Sequence, residues 1–222
     1  IFDMIGPVMI GPSSSHTAGV VRIGRVARRV LGKTPKRVEV TFYNSFATTF
    51  EGHGSDRAIL AGLLDYQTDD DRIREAKTLA EEAGMQWHFR PVRSSPKHHP
   101  NSVKVEMWGE DEQVDHCSVI GVSRGGGLIL IAEIDGLHAQ FTADDHTLII
   151  DAEDKAGSVS FISSVVAMEG CNIGTMTVAR RGKHKGAKLV LEMDHGLRSL
   201  TVDYLSSLKW VEKVVYIPDI DK

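Results

Sequence analysis

The stretch TLIIDAEDKAGSVSFISSVVAMEG, residues 147–170, sets the fold of the last third of the chain. It opens on the run TLIIDAE, whose consecutive apolar residues are typical of a strand buried in a sheet. After a short charged loop, apolar residues recur at helical spacing, at Val159, Ile162, Val166 and Met168. The segment therefore predicts a strand followed by a helix.

The residues after this segment continue the pattern. Strands are predicted at NIGTMTVAR (172–180) and AKLVLEM (187–193), which the turn RGKHKG joins. A helix over about 197–208 and the strand VEKVVYI (211–217) follow. This order is that of a ferredoxin-like βαββαβ unit, and the exposed edge of such a sheet often pairs with a second copy. We therefore expect a βαββαβ domain over residues 146–222 that forms a homodimer.

The first two thirds of the chain predict a different, α+β domain. Apolar residues recur at helical spacing from Val20 to Leu31, and four arginines lie largely off that stripe: Arg22, Arg25, Arg28 and Arg29. Alternation over Val38–Phe42 predicts a half-buried strand. Two further helices are predicted over about 56–64 and 72–83.

From Met85 to Phe141 the pattern predicts only strands and turns. The polar segment TADDH, residues 142–146, is the predicted linker, because the regular pattern restarts after it. The chain is therefore predicted to be an α+β protein of two domains, residues 1–143 and residues 146–222.

Composition narrows the classes of partner. The chain has 222 residues, 41% of them hydrophobic, and a formal net charge of −4 at pH 7. That charge argues against nucleic acid as a partner, and we find no apolar run of the ~18–20 residues that a membrane helix needs. The two cysteines, Cys117 and Cys171, fit a reducing cytoplasm. Two thiols do not by themselves supply the ligands of a usual iron–sulfur cluster.

The stretch GPSSSHTAG, residues 11–19, places four hydroxyls and an imidazole directly before the first predicted helix. Capping of the helix explains one hydroxyl, since Ser and Thr are common N-caps, but it does not explain four together with His16. The flanking glycines let the backbone approach a bound group, and a helix N-terminus favours a carboxylate or phosphate. A site for a small anion or substrate is therefore expected over Ser13–Thr17, with plain capping as the alternative. The segment ARRVLGKT (27–34) is not a P-loop, because it lacks one glycine of the motif and ends a helix.

A second loop, EGHGSD (51–56), repeats this arrangement. His53 lies between two glycines, and Ser55 or Asp56 is placed to cap the following helix. An exposed loop histidine is the alternative interpretation. Two such loops in one domain favour a shared site, because histidine exchanges a proton near neutral pH.

The motifs HPN (99–101) and SRGGG (123–127) are weaker, since ordinary turns also explain them. His98 and His99 lack the further ligands of a zinc site, so no metal site is predicted in this chain.

Four stretches, in this order, closely resemble the beta chain of the bacterial iron–sulfur-dependent L-serine dehydratases: FDMIGPVMIGPSSSHTAG, FYNSFATTFEGHGSD, HPN and GGG. The N-terminal region also resembles the allosteric substrate-binding domain of some phosphoglycerate dehydrogenases. The last part resembles an ACT domain, a small regulatory module that binds amino acids. Ser55 departs from the threonine of the dehydratase pattern, and Ala156 departs from the proline that ACT sequences often have.

The resemblance implies a two-chain enzyme that converts L-serine to pyruvate and ammonia, with a 4Fe–4S cluster on cysteines of the alpha chain. An open iron of that cluster would act as a Lewis acid that helps hydroxide to leave. The resemblance also implies that four side chains bind the substrate on a face that docks on the alpha chain: Ser13, Ser14, Ser15 and Thr17. His16 and His53 are expected to transfer a proton or orient the substrate, and the choice between them stays open.

In the ACT-like domain we expect an amino acid, L-serine first of all, to bind at the loop EDKAGS (153–158). Gly157 would let the ligand approach the backbone, and Asn172 is expected near the same end as a further hydrogen-bonding group. Simple turn formation by these two residues is the alternative.

Two other functions are kept as alternatives for the whole chain. The first is a purely regulatory subunit, whose polar loops bind an effector. The second is a stand-alone hydrolase using Ser and His, which needs an acidic partner and a strained nucleophile turn of the G-x-S-x-G kind. We expect no such pentapeptide in this chain.

Overall fold

The computed structural model describes residues 13–182 and 185–220. Gly11 and Pro12 of the GPSSSHTAG motif, and two residues of the predicted turn 181–186, lie outside the described residues. The chain divides into two compact units, one ending at Asp135 and the other beginning at Gly136. This division falls ahead of the segment 142–146. Among the described residues no helix is long and apolar enough to cross a membrane.

The first unit combines helices with a mixed sheet, as predicted. One turn of π-helix, Ser14–Ala18, leads directly into the first α-helix. The elements are, in chain order, α1 (Gly19–Leu31), β1 (Arg37–Tyr43), α2 (Ser45–Thr49), α3 (Ser55–Leu63), a 3₁₀ turn (Asp71–Glu75), α4 (Ala76–Glu82), β2 (Gln86–Val92), β3 (Ser102–Trp108), β4 (His116–Gly125) and β5 (Leu128–Ile134). The strand order is β2-β1-β3-β4-β5. Strands β1 and β2 are parallel, and the other pairs are antiparallel.

Helix α1 packs against both α3 and the sheet, and glycines make both contacts possible. A Cβ atom added to Gly62 of α3 would lie 2.2 Å from the Val21 carbonyl oxygen, and one on Gly24 would lie 2.7 Å from the Ile59 carbonyl oxygen. On the sheet side, Gly121 of β4 leaves room for the Ile23 side chain. Because no side chain separates the helices, the starts of α1 and α3 lie close together.

The packing of α1 also determines the environment of its arginines. Arg22 and Arg25 are buried, although they lie off the apolar stripe. The reason is that α1 is covered on two sides, by the sheet and by α3. Arg22 donates to the Gly127 carbonyl oxygen at 2.8 Å, and Arg25 donates to Gln67 at 2.6 Å.

The second unit begins with one additional strand, β6, and from β7 onwards has the predicted βαββαβ order. Its elements are β6 (Leu137–Phe141), β7 (His146–Ala152), α5 (Ser158–Met168), β8 (Ile173–Gly182), β9 (Gly186–Met193), α6 (Ser199–Ser206) and β10 (Val211–Ile217). Strands β7 to β10 form an antiparallel sheet in the order β10-β7-β9-β8. One face buries its apolar residues with those of α5 and α6 in a single cluster, which includes Leu148, Ile150, Ile162, Val166, Leu191 and Leu205. The ferredoxin-like prediction is confirmed.

Candidate functional site

The turn before α1 is held by its own side chains. Ser13 is the N-cap, and its hydroxyl accepts a hydrogen bond from the backbone N–H of His16 at 3.3 Å. The Ser15 hydroxyl lies 2.9 Å from His16 Nδ1 and 3.2 Å from the Ser13 hydroxyl. Capping thus accounts for one serine, as the alternative interpretation proposed. The remaining polar side chains have other partners.

Ser14 and Thr17 connect this turn to two other loops. The Ser14 hydroxyl accepts a hydrogen bond from the Gly126 backbone N–H at 3.2 Å. The Thr17 hydroxyl donates to the His53 carbonyl oxygen at 3.3 Å. The structure therefore brings the predicted loops of His16, His53 and the triple glycine together.

The two candidate histidines are in direct contact. The ring centroids of His16 and His53 are 4.7 Å apart, with the ring planes at 88°. The ring centroid of Phe46 in α2 lies 4.8 Å from that of His16, with the ring planes at 69°. His16 is only 8% exposed. Its Nε2 atom and the Nδ1 atom of His53 are shielded from solvent and have no hydrogen-bond partner in the described part of the chain.

Burial determines the charge of His16. It lowers the pKa of His16 below the ordinary value of 6.5, and the neighbouring His53 lowers that pKa further. Desolvation penalises the imidazolium form, and a second imidazolium beside it would add repulsion. His16 is therefore neutral near pH 7 and able to accept a proton.

The start of α3 differs from the prediction that Ser55 or Asp56 caps it. Gly54, in a left-handed conformation with φ of 72°, occupies the N-cap position, and no side chain caps the helix. The Ser55 hydroxyl instead donates to the His16 carbonyl oxygen at 2.7 Å, and Asp56 pairs with Lys77. The serine at position 55 thus fastens the two histidine loops together.

The triple glycine forms a tight turn that only glycine adopts readily. Gly125, Gly126 and Gly127 all have left-handed φ values, of 88°, 63° and 83°. Arg22 holds the carbonyl oxygen of Gly127, while Ser14 holds the N–H of Gly126. The weaker motif SRGGG is therefore part of the same cluster.

Ser123 lies in the same motif and excludes one alternative function. The expectation that the chain has no G-x-S-x-G pentapeptide is wrong, because the letters GVSRG (121–125) fit it. Ser123, however, is fully buried in strand β4, and the following turn leads to strand β5. A nucleophile elbow is an exposed serine between a strand and a helix. The geometry therefore does not support a hydrolase of that kind.

The motif HPN has a scaffolding position. Its backbone carbonyls accept hydrogen bonds from the start of α2 and from β4: Pro100 from Ser45 at 3.0 Å, and Asn101 from Ser123 at 3.0 Å. The His99 ring accepts from the Asn101 N–H. These bonds connect the motif to the elements that carry Phe46 and Ser123.

Sequence reasoning missed several residues that shape this site. Asn44, with an unusual positive φ of 52°, anchors the loop before HPN by donating to the carbonyls of Ser95 and His98. Phe46 and Arg22 were not candidates either. An asparagine beside a strand end was the available signal for Asn44, because asparagine tolerates this conformation.

The second unit corrects the expected position of Asn172. In the sheet, Met193 of β9 pairs with both His146 and Ile173, so Asn172 lies at the same end of the sheet as the start of β7. Gly157 follows the other end of β7 and begins α5 with φ of 85°. The two residues therefore lie at opposite ends of one sheet, because β7 and β8 run in the same direction. Asn172 donates to Asp194 at 3.0 Å.

The Gly157 end carries a polar cavity. It is lined by acidic and basic side chains and by the backbone of the loop, namely Glu153, Asp154, Lys155, Ala156, Lys185, Gly186 and Glu212. A cavity that offers both charges and peptide groups suits a zwitterionic ligand.

The described residues bring together no group of three or more His, Cys, Asp or Glu side chains suited to a metal ion. Cys117 and Cys171 are both buried, one in each unit. A 4Fe–4S cluster therefore has no ligand set in the part of the chain that the structure describes.

The fold and site together define an α+β protein with a histidine-centred polar site in its first unit and a ferredoxin-like module in its second. The chain belongs to the serine dehydratase beta chain family, whose model matches residues 1–133. It is 41% identical over 219 residues to the probable L-serine dehydratase beta chain of Bacillus subtilis, covering 99% of this chain and 98% of that one. It is 35% identical over 220 residues to the L-serine dehydratase beta chain of Peptoniphilus asaccharolyticus, covering 95% and 97%.

Among solved structures, the ACT domain from GTP pyrophosphokinase of Chlorobium tepidum covers 32% of this chain and 94% of its own length. The identity is 22% and the TM-score is 0.28. The fold of the second unit is assigned from its own strand order.

Proposed function

We propose that this chain completes the substrate pocket of an L-serine dehydratase by docking on an alpha chain. The observation that carries the proposal is a pair of buried imidazole nitrogens with no hydrogen-bond partner among the described residues, His16 Nε2 and His53 Nδ1. His16 lies just before α1, and His53 lies just before α3. Membership in the beta chain family supports the choice of L-serine as the substrate.

The hydroxyls of the first turn have different roles in this pocket. Ser14 accepts a hydrogen bond from Gly126, so its own proton remains available for the substrate carboxylate. Thr17, also expected to bind substrate, is only 1% exposed and donates its proton to the His53 carbonyl, so it is proposed to hold the His53 loop in place. Ser13 and Ser15, also expected to bind substrate, direct their hydroxyls towards His16.

The reaction removes the α-proton and the β-hydroxyl of L-serine, which leaves aminoacrylate and water. Aminoacrylate then tautomerises and hydrolyses to pyruvate and ammonia. His16, neutral because burial lowers its pKa, is suited to accept the α-proton. His53 is suited to orient the substrate or to protonate the departing hydroxide. A 4Fe–4S cluster on the alpha chain is proposed to supply Lewis-acid assistance to that departure.

The second unit is proposed to be an ACT domain that senses an amino acid, with L-serine as the first candidate. Strand β8 is an edge of the sheet and can pair with β8 of a second copy. Antiparallel pairing of the two edges would carry Asn172 of one copy towards the Gly157 end of the other. A ligand in the polar cavity of one protomer would then meet groups from both.

The competing function is a purely regulatory subunit, in which the histidine pocket binds an effector. Assembly with the alpha chain under anaerobic conditions, followed by a pyruvate assay, separates the two. His16→Ala and His53→Ala should each lower turnover at saturating L-serine by ~10²-fold or more, the range for a positioned proton-transfer group. His88→Ala, an exposed histidine of β2, is the matched control and should keep full turnover.

Normal maximal turnover of both pocket variants, with a changed response to activator alone, would favour the regulatory role. We also expect the purified chain alone to be colourless and to produce no pyruvate. An iron–sulfur absorption band in the single chain would contradict the proposed division of labour between the two chains.

A further inference from the structure

The three serines before α1 have different partners, and this difference assigns a role to one of them. We infer that Ser15 is a positioning residue: its hydroxyl accepts the Nδ1 proton of His16 and leaves Nε2 as the proton-accepting atom. The inference rests on the proposed function and deepens it, because it names the atom of the pair that takes the substrate proton.

The geometry around Nδ1 forms a short chain of hydrogen bonds. The Ser15 hydroxyl lies 2.9 Å from His16 Nδ1, whereas the Ser13 hydroxyl lies 3.4 Å from Nδ1 and 3.2 Å from the Ser15 hydroxyl, so Ser15 is the nearer partner of the ring. Ser13 Oγ also accepts the backbone N–H of His16 and has two lone pairs. It can therefore accept a second proton, the one on the Ser15 hydroxyl.

Which group donates in these hydrogen bonds follows from the surroundings of Nε2, the other nitrogen of the ring. If Ser15 donated to Nδ1, neutral His16 would carry its proton on Nε2 and bury an N–H with no acceptor among the described residues. Orphaned buried N–H groups are rarer than unpaired acceptors. With the proton on Nδ1, the protons of the ring and of Ser15 both have acceptors: Nδ1–H donates to Ser15, and the Ser15 hydroxyl donates to Ser13.

The hydrogen bond from Nδ1 to Ser15 is possible both before and after Nε2 accepts a proton. Nδ1 keeps its proton before and after transfer, so the bond to Ser15 is maintained throughout. A hydroxyl carries no charge, unlike the carboxylate that stabilises the imidazolium in a Ser-His-Asp triad. The perpendicular ring of His53 and the ring of Phe46 both pack against the imidazole. Ser15 therefore fixes the ring and favours its charged form less than a carboxylate would.

The test is a ¹⁵N NMR measurement of the imidazole nitrogens in the full chain, with the His16 signals assigned from a His16→Gln variant. In the wild-type chain above the pKa of His16, we expect the proton on Nδ1. Ser15→Ala should remove this preference, and Ser15→Thr should retain it because the hydroxyl is kept. Ser14→Ala is the matched control: it should leave the tautomer unchanged, because Ser14 bonds to Gly126.

A wild-type ring protonated on Nε2 would overturn the inference even if the Ser15→Ala chain did not fold. An unchanged tautomer in a folded Ser15→Ala chain would overturn it too.

In the enzyme assembled with its alpha chain, Ser15→Ala should lower kcat roughly 10-fold or more at nearly constant KM, since a misplaced catalytic group costs rate and leaves uniform binding intact. Ser15→Thr, which keeps the hydroxyl, should retain most of the wild-type kcat. If NMR shows the proton on Nδ1 but His16→Ala retains full turnover, the proposed catalytic function is wrong, whereas the hydrogen bond from Nδ1 to Ser15 is still supported.

Discussion

The hydroxyl of Ser55 donates to the carbonyl oxygen of His16 at 2.7 Å, which joins the two histidine loops at their backbones. The bond is fully buried on the serine side. Thr17 makes the reciprocal link, since its hydroxyl donates to the carbonyl of His53. The contact between the two imidazoles is therefore set by short hydroxyl side chains, each bonded to the backbone of the facing loop, and does not depend on long flexible side chains.

The contact of Gly19 with Ser123 gives a test of packing beneath the site. A Cβ atom on Gly19 would lie 2.3 Å from the Ser123 hydroxyl oxygen and 3.0 Å from its Cβ. Gly19→Ala should therefore destabilise the chain by about 1–3 kcal/mol, the range for overpacking, in chemical unfolding.

The double variant identifies the cause of that loss. In a Ser123→Gly background both crowding atoms are absent, so Gly19→Ala should cost much less there. Gly174→Ala, whose nearest non-neighbouring atom would be 3.8 Å away, is the control and should be nearly neutral. An equal cost of Gly19→Ala in both backgrounds would exclude the Ser123 contact as its origin.

Buried His16 should make stability depend on pH in a defined window. Its pKa in the folded chain is lowered below 6.5 by burial and then by His53. The unfolded chain therefore binds the proton more readily, and stability is lost as the pH falls from 6.5 through the folded-state pKa. Unfolding experiments between pH 7 and 5 should show a shallower decline for His16→Gln. Parallel profiles for both chains would argue against a desolvated imidazole.

A second acid-sensitive contact lies in the βαββαβ unit and titrates at lower pH. Glu169, at the end of α5, accepts hydrogen bonds from Arg198 and Thr201, and these lower its pKa to about 2. Its contribution to stability is complete above the ordinary value of 4.5 and is lost as the pH falls towards 2. Glu169→Gln should flatten the stability profile in that window and leave the window of His16 unchanged. Retention of the wild-type slope below pH 4.5 would contradict the assignment.

The proposed sensing role predicts a ligand-dependent melting temperature. A ligand that binds only the folded state adds about 2.7 kcal/mol of stability at a hundredfold excess over its Kd. Thermal melting of the full chain with L-serine should show a rise that D-serine and glycine reproduce weakly. Asn172→Ala should reduce the rise if Asn172 completes the site across a dimer. Light scattering on the same samples reports the oligomeric state, and no shift at tens of millimolar L-serine would sink the sensing role.

Sequence patterns predicted the secondary structure well where a segment was long enough to show its periodicity. The helix α1 and the βαββαβ order followed from apolar spacing over many residues. The short helix α2 did not, since Ser45–Thr49 is too brief to show a period and is held by Phe46 and by the Pro100 carbonyl. Short helices of this kind depend on tertiary contacts.

The candidate site was predicted by residue type, and the three-dimensional partners of those residues were not. Arg22 can be buried because it donates a hydrogen bond to the Gly127 carbonyl of the triple-glycine turn, which is far away in sequence. Asn172 was placed at the wrong end of the sheet because strand direction depends on the whole topology. The cap expected at Ser55 failed because its hydroxyl meets the His16 carbonyl instead.

The backbone contact between Gly24 and Gly62 has a consequence for motion in the site. Sliding of α1 along α3 would drive backbone atoms into each other, because no flexible side chain lies between the two helices to adjust. The two helices should therefore move as one rigid body, and the histidines at their starts should keep a fixed separation. A substrate would then meet a preorganised half-pocket, and any closure around it must come from the partner chain.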